Sequence, residues 1–107
     1  MNQQYPADGE MELPALCDSV RQLVRKGRIK ECWKLVVDAM SKYPHAPQPH
    51  NLMGVIFEMG NDHTAAMKHF RAAWSLDPTY TPAQHNLNNL ASFSFVGKYA
   101  FDESDLP

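Results

Sequence analysis

The chain repeats itself at an interval of 34 residues. Residues of matching character recur at that interval: Gly27 with Asn61 next to Gly60, Cys32 with Ala66, Val36 with Phe70, Ala39 with Ala73, and Pro44 with Pro78. A period of this length, with a glycine in mid-unit and a proline at the end, is typical of a helix-turn-helix repeat. Such units stack side by side because none can bury its apolar face alone. The sequence therefore predicts an array of helical hairpins.

Composition and charge are consistent with one globular domain. The chain has 107 residues, 44% hydrophobic and 21% charged, which is ordinary for a soluble protein. No apolar run approaches the roughly 18 residues of a membrane span, and the first residues lack the basic and apolar parts of a secretory signal. These features predict a cytoplasmic protein with no membrane partner. Its two cysteines, Cys17 and Cys32, are expected to be reduced, half-buried packing residues.

The acidic residues are concentrated at the two ends of the chain. Residues 1–12 and 102–107 hold six of the twelve acidic residues and no basic residue. We expect residues 1–12 to be a flexible acidic tail, residues 13–101 to be the folded domain and residues 102–107 to be a second acidic tail.

Apolar residues at helical spacing predict five helices and no strands. The first begins at Leu13 and ends at Lys26, the second runs from residue 28 or 29 to Lys42, the third from about Gln48 to a stop at Gly60, the fourth follows an N-cap at Asp62, and the fifth begins at Thr81. Prolines between the helices prevent their continuation. The fold class is all-α.

One segment resembles a tetratricopeptide repeat closely. The matching residues are Asn51, Leu52, Met53, Gly54, Phe57, Gly60, Ala65 or Ala66, Phe70, Ala73, Asp77 and Pro78. Residues 13–46 match more loosely, through Gly27, Cys32, Ala39 and Pro44. The resemblance implies a helical-hairpin (TPR-like) solenoid with two hairpins, residues 13–46 and 47–80, and a C-terminal capping helix in a half unit, residues 81–95.

The matching residues also have a physical meaning of their own. Gly54 is small where two helices of a hairpin must approach closely, and Phe70 is large where it fills the space between them. Val20 stands at the position of Gly54 one unit earlier. We therefore expect the first hairpin to be slightly splayed.

No catalytic constellation is present in the sequence. There is no Ser, His and Asp set in a strand-turn-helix context and no glycine-rich phosphate loop. The five histidines are scattered, and none lies at a spacing typical of a metal site. We expect no enzyme activity, no cofactor and no metal.

The resemblance implies a concave groove lined by the first helix of each unit. The outward positions there are Cys17, Arg21, Arg25, Gln48, Asn51, Val55, Glu58, His85, Asn86 and Asn89. Asparagine can donate to and accept from the backbone of an extended peptide. Some family members clamp a peptide's terminal carboxylate with two asparagines and several basic residues, and Asn51, Asn86 or Asn89 with Arg21 and Arg25 would imitate this, although the third unit lacks the expected lysines. In the alternative, the asparagines of the fifth helix solvate the end of the array.

These features favour a protein-protein interaction module, a small adaptor or chaperone-like subunit that holds a peptide or partner helix. The basic residues at the tip of the first hairpin, within residues 25–30, are explained by a solvated turn, by an acidic partner or by the protein's own acidic tails. Nucleic-acid binding there is a remote alternative, because no aromatic residues are interleaved with the basic ones.

Residues 93–101 form an aromatic segment that the repeat does not explain. It contains Phe93, Phe95, Tyr99 and Phe101, which would form a large apolar patch if exposed. Three arrangements remain open. The segment folds back over helices four and five, or docks on a second copy to give a self-associating homodimer, or occupies the groove as a built-in ligand.

Overall fold

In a computed structural model, residues 9–91 and 99–106 are described, with side chains from residue 12 onward. This part of the chain is all-helical and contains no strand. The five α-helices are α1 (Gly9–Arg25), α2 (Ile29–Lys42), α3 (Pro47–Met59), α4 (His63–Leu76) and α5 (Thr81–Ala91), and a single 3₁₀ turn follows at Glu103–Asp105. None of the described helices combines the length and apolar character needed to cross a membrane.

The first helix begins earlier than the pattern predicted. It begins at Gly9 rather than Leu13, so Pro14 lies inside the helix and not in its first turn. Residues 9–12 form the added turn, and Glu12 suits it because a negative charge is favourable near the positive end of the helix dipole. The expected tail is therefore helical over its last four residues.

The turns inside the two hairpins are built alike, 34 residues apart. Gly27 has φ 74° and Asn61 has φ 61°, the left-handed conformation that commonly ends a helix. In each turn the next residue donates its N–H to a carbonyl five residues back, Arg28 to Leu23 at 2.9 Å and Asp62 to Phe57 at 2.9 Å. Gly60 was expected to make the second turn, but its φ is −91°. Asparagine replaces glycine here because it tolerates positive φ better than other residues.

Other helix boundaries agree with the sequence. The bounds of α2 are those predicted, and the Asp62 carboxylate caps α4 by accepting from the Ala65 N–H at 3.1 Å. Pro47 and Pro49 lie in the first turn of α3, where a missing N–H costs nothing.

Each helix packs on its neighbour in the chain, and α3 also contacts α1 and α5. This order of contacts places α1, α3 and α5 in one layer and α2 and α4 in the other. The α3–α4 contact is the most extensive, and the α1–α2 contact is smaller.

The core extends through both hairpins. One cluster joins α1, α2 and α3 and includes Cys17, Cys32 and Leu52, and a second joins α3 and α4 around Val55 and Phe70. Both cysteines are free and fully buried, so the expectation of half-buried thiols was wrong: both sulfur atoms lie inside the first cluster.

Candidate peptide-binding groove

The face formed by α1, α3 and α5 has a polar floor. Within the part of the chain that the structure describes, four charged or amide side chains are buried, and all four lie on this face: Arg21, Asn51, Glu58 and Asn86. Between them the floor is apolar, with Cys17 and Val55 almost fully buried. We call this face the groove. It is covered by the chain's own residues 99–106, which we call the C-terminal segment.

Two asparagines hold the main chain of the segment at Ala100. The side-chain amides of Asn51 and Asn86 both donate to the Ala100 carbonyl at 2.9 Å, and the Asn86 Oδ1 accepts from the Ala100 N–H at 2.8 Å. Asn86 also donates to the Asn51 Oδ1 at 2.9 Å. Both polar atoms of one peptide residue are thereby satisfied by side chains, a contact that does not depend on which side chain the peptide carries.

Arg21 holds the acidic part of the segment. Its guanidinium donates through Nη2 to Asp102 at 2.6 Å and through both Nε and Nη2 to Asp105 at 3.0–3.3 Å. Nη2 also reaches the Ser104 hydroxyl, while Nη1 contacts Asp18 on its own helix. The guanidinium is a planar fork of donors that matches carboxylate geometry. The hydrogen bond with Asp105 raises the pKa of Arg21 further.

The two carboxylates are presented to Arg21 by the 3₁₀ turn. Asp105 accepts from the backbone N–H groups of Phe101 and Asp102, and Asp102 accepts from the Ser104 N–H. Burial by itself raises the pKa of Asp105, but hydrogen bonds from Arg21 and the Phe101 N–H outweigh it and leave that pKa below its usual value. The turn therefore stabilises the charged form of Asp105.

The aromatic residues of the segment fill the groove beside Ala100. Tyr99 donates to Glu58 at 2.6 Å, its ring lies 6.4 Å from the Phe70 ring, and Glu58 also contacts His63 Nδ1 at 2.6 Å. Burial and the contact with Glu58 raise the pKa of Tyr99. Phe101 packs against both core clusters, with the Arg21 guanidinium 5.7 Å from its ring centroid, within reach of a cation–π interaction.

The predicted groove residues divide into two groups. Six of the ten are buried on the groove face: Cys17, Arg21, Asn51, Val55, Glu58 and Asn86. The remaining four do not make the contacts that hold the segment. Arg25 is exposed, Gln48 is half-buried with its Oε1 lacking a donor in the described residues, and Asn89 contacts His85 along α5 at 3.2 Å.

The structure describes only the end of the aromatic segment. Tyr99 and Phe101 lie in the groove of their own chain, whereas Phe93 and Phe95 lie outside the described residues. The expectation of a separate acidic tail after residue 101 was wrong, because Asp102 and Asp105 are ion-paired with Arg21. The only sequence signal for this pairing was the concentration of acidic residues at the end of the chain, which does not specify their partner.

The basic residues at the tip of the first hairpin lie away from the contacts with the C-terminal segment. Arg25 and Lys26 are exposed, and Arg28 pairs with Glu31.

Cys17 lies beneath the C-terminal segment, on the groove floor, where burial and the nearby Asp102 and Glu103 raise its pKa to about 12. A thiol with so high a pKa stays protonated and is a poor nucleophile.

Comparison with family models, with curated proteins and with solved structures found no match to this chain.

Proposed function

We propose that this chain is a short tetratricopeptide-like array that acts as a protein-protein interaction module and holds an extended peptide of a partner protein in its groove. The observation that carries the proposal is the polar floor: the four buried polar side chains face an irregular stretch of main chain and hold it by hydrogen bonds and ion pairs.

A polar floor is a poor choice for a groove that serves stability alone. Replacing buried ion pairs by well-packed apolar side chains is often neutral or stabilising. A permanent cap on a helical array would therefore be built with leucines and valines, as the core between the hairpins is. Asparagine and arginine are useful where the bound segment leaves and the exposed groove must be hydrated again.

A peptide suits the groove better than the other ligand classes. The asparagine pair satisfies one N–H and one C=O of a single residue, a pattern that main chain presents and a nucleic acid backbone does not. The groove floor carries one buried cation, Arg21, whereas nucleic-acid surfaces carry several. Burial raises the pKa of the Cys17 thiol on the floor, which makes this group a poor nucleophile.

The proposal is tested by selecting binders from a displayed library of random peptides. The bait is the full chain with Ala100→Trp, which is expected to expel the segment because Ala100 is fully buried between the two asparagines. Selected peptides should lose at least about tenfold in affinity when Asn51 and Asn86 are both changed to Ala, since each hydrogen bond to a buried partner is worth about 1 kcal/mol.

Asn88→Ala is the matched control, because Asn88 is exposed on the same helix as Asn86. It should leave peptide affinity unchanged. Peptides that bind the Asn51→Ala, Asn86→Ala chain as tightly as its parent would show that they dock elsewhere, and the groove would not be the binding site.

A further inference from the structure

We infer that the partner peptide is acidic and follows the pattern of the C-terminal segment: an aromatic residue, a small residue, a second aromatic residue, then an aspartate followed three residues later by another. The C-terminal segment is then a competing ligand held in place until such a peptide displaces it. This inference rests on the proposed function and specifies its partner.

The small residue is required by the asparagine pair. Ala100 is fully buried, and its N–H and C=O are both bonded to side chains on either side of it. A larger side chain at this place would enter space already filled by the groove floor. The asparagines thus bind the main chain of the peptide and also favour a small side chain at the position of Ala100.

The two acidic positions are required by Arg21. Its side chain is 10% exposed and those of Asp102 and Asp105 are 20% and 19% exposed, so these charges are screened less by water than surface charges are. The third carboxylate near the guanidinium, Asp18, is 60% exposed and is well solvated. A peptide without acids would leave Arg21 poorly compensated, which is costly for a charge this buried.

The aromatic positions are set by one polar and one apolar contact. Glu58 accepts from the phenol of Tyr99, which favours tyrosine over phenylalanine at the first position. Phe101 bridges the two core clusters and lies against the Arg21 guanidinium. The second position therefore takes an apolar ring with no requirement for a hydroxyl.

Covalent attachment gives the C-terminal segment an advantage over any free peptide. A short linker holds a ligand at an effective concentration in the millimolar range, and seven residues separate Ala91 from Tyr99. A free peptide with the same sequence should therefore bind the intact protein weakly. A natural partner must make additional contacts, or the segment must first be released.

The inference is tested with a fluorescein-labelled synthetic peptide that carries the sequence of residues 99–106, by fluorescence anisotropy. Two full-length chains with a weakened segment are used, Ala100→Trp and the double variant Asp102→Lys, Asp105→Lys. Each should bind the peptide at least about tenfold more tightly than the unaltered chain, because competition within the chain is reduced. Circular dichroism of each variant tests whether it keeps its helices.

A charge reversal then tests whether Arg21 binds the acidic side chains of the peptide. Adding Arg21→Glu to the Ala100→Trp chain should weaken peptide binding by at least about tenfold. A peptide with lysine in place of Asp102 and Asp105 should bind this reversed chain better than the original peptide does. A structural role for Arg21 would not produce this rescue.

Three results would overturn the inference. The first is that the variants fold but do not bind the peptide at millimolar concentration. The second is that both variants unfold, which would show that the segment is an inseparable part of the core. The third is light scattering that shows a dimer of the unaltered chain, abolished by Arg21→Glu, which would assign the groove to the segment of a second copy. If peptides selected at random require Asn51 and Asn86 but contain no acids and ignore Arg21→Glu, the inference fails while the proposed function stands.

Discussion

The two hairpins use the same 34-residue unit but fill the space between their helices differently. In the first, Val20 and Val36 are two fully buried side chains of equal size in one core cluster. In the second, Gly54 and Phe70 occupy the equivalent positions, and a Cβ atom added at Gly54 would lie 2.4 Å from the Phe70 ring. The second pairing lets α3 and α4 approach closely, and their contact is the more extensive one.

The groove shows a corresponding division between the units. The position of Asn51 is occupied by Cys17 in the first unit, and the position of Arg21 is occupied by Val55 in the second. The first unit therefore contacts acidic side chains of the C-terminal segment, and the second contacts its main chain. One repeat unit thus accommodates both different packing and different contacts with the C-terminal segment, provided that each helix pair keeps a complementary volume.

The largest expected effect is the loss of this complementarity at Gly54. Gly54→Val should destabilise the fold by about 3 kcal/mol or more, because Phe70 is fully buried and cannot move away from the new side chain. The small gain in helix propensity over glycine is less than about 1 kcal/mol and does not offset the clash. Urea denaturation monitored by circular dichroism measures the change.

The double variant Gly54→Val, Phe70→Val transplants the first hairpin's pair into the second and is the matched control. It should recover more than half of the stability that Gly54→Val loses, with a strong coupling between the two positions. If the two substitutions merely add, the two hairpins do not differ by volume exchange at this pair.

The next effect concerns the hydrogen bonds between Asn86 and the main chain of Ala100. Asn86→Ala should cost about 1–3 kcal/mol, because it leaves the buried N–H of Ala100 without its acceptor and removes a donor from the carbonyl. Thermal unfolding should show the loss, and hydrogen exchange should show it at the Ala100 amide. Asn89→Ala is the control on the same helix, where a half-buried side chain contacts His85, and it should change stability by less than about 0.5 kcal/mol. Equal losses in the two variants would contradict the asparagine contact.

Much of the fold was predictable from the sequence because the repeat expresses local rules. Proline positions, the Asp62 cap and apolar spacing determine helix boundaries, and α2 begins at one of the two predicted residues and ends at the predicted Lys42. Two local predictions failed where competing residues were available. Asn61 rather than Gly60 adopts positive φ, and α1 begins at Gly9 rather than at Leu13.

The groove floor was predictable in part, whereas its occupant was one of three arrangements left open. Asn51 and Asn86 follow from their places on the first helices of successive units. Asp105 could not be predicted, because its ion pair with Arg21 joins residues 84 positions apart. No periodicity covers the acidic end of the chain, and opposite charges alone do not specify which residues meet.

The third effect concerns the pH dependence of the ion pair between Asp105 and Arg21 of the first unit. The pKa of Asp105 is lower in the folded chain than its usual value near 3.9, so its stabilisation is fully present above about pH 4 and is lost as the pH falls through the lower folded value. Asp105→Asn should cost about 1–2 kcal/mol at pH 7, as expected for a hydrogen bond between charged groups. Amide NMR of Phe101, whose N–H donates to Asp105, should report release of the segment on acidification. An acid transition of the same size in Asp105→Asn would rule out Asp105 as its source.

The smallest effect concerns a pair of histidines that replaces leucines of the first hairpin. His50 and His69 stack with their Nδ1 atoms 3.2 Å apart, and Leu16 and Leu35 hold the equivalent positions. Burial lowers the pKa of both histidines, and the charge of His50 lowers that of His69 further. Below about pH 6.5 these two histidines therefore bind protons more readily in the unfolded chain than in the folded chain. Their effect on stability is absent above that pH, and stability falls as the pH drops below it.

The double variant His50→Leu, His69→Leu should lose less stability between pH 7.5 and 5.5 than the unaltered chain does. The difference should be under about 1 kcal/mol, because both rings are partly solvated. Urea denaturation at the two pH values measures the stability loss of each chain. The three other histidines are present in both chains, so their contributions cancel in the comparison. Equal losses would show that the second hairpin gains no pH sensitivity from exchanging leucines for histidines.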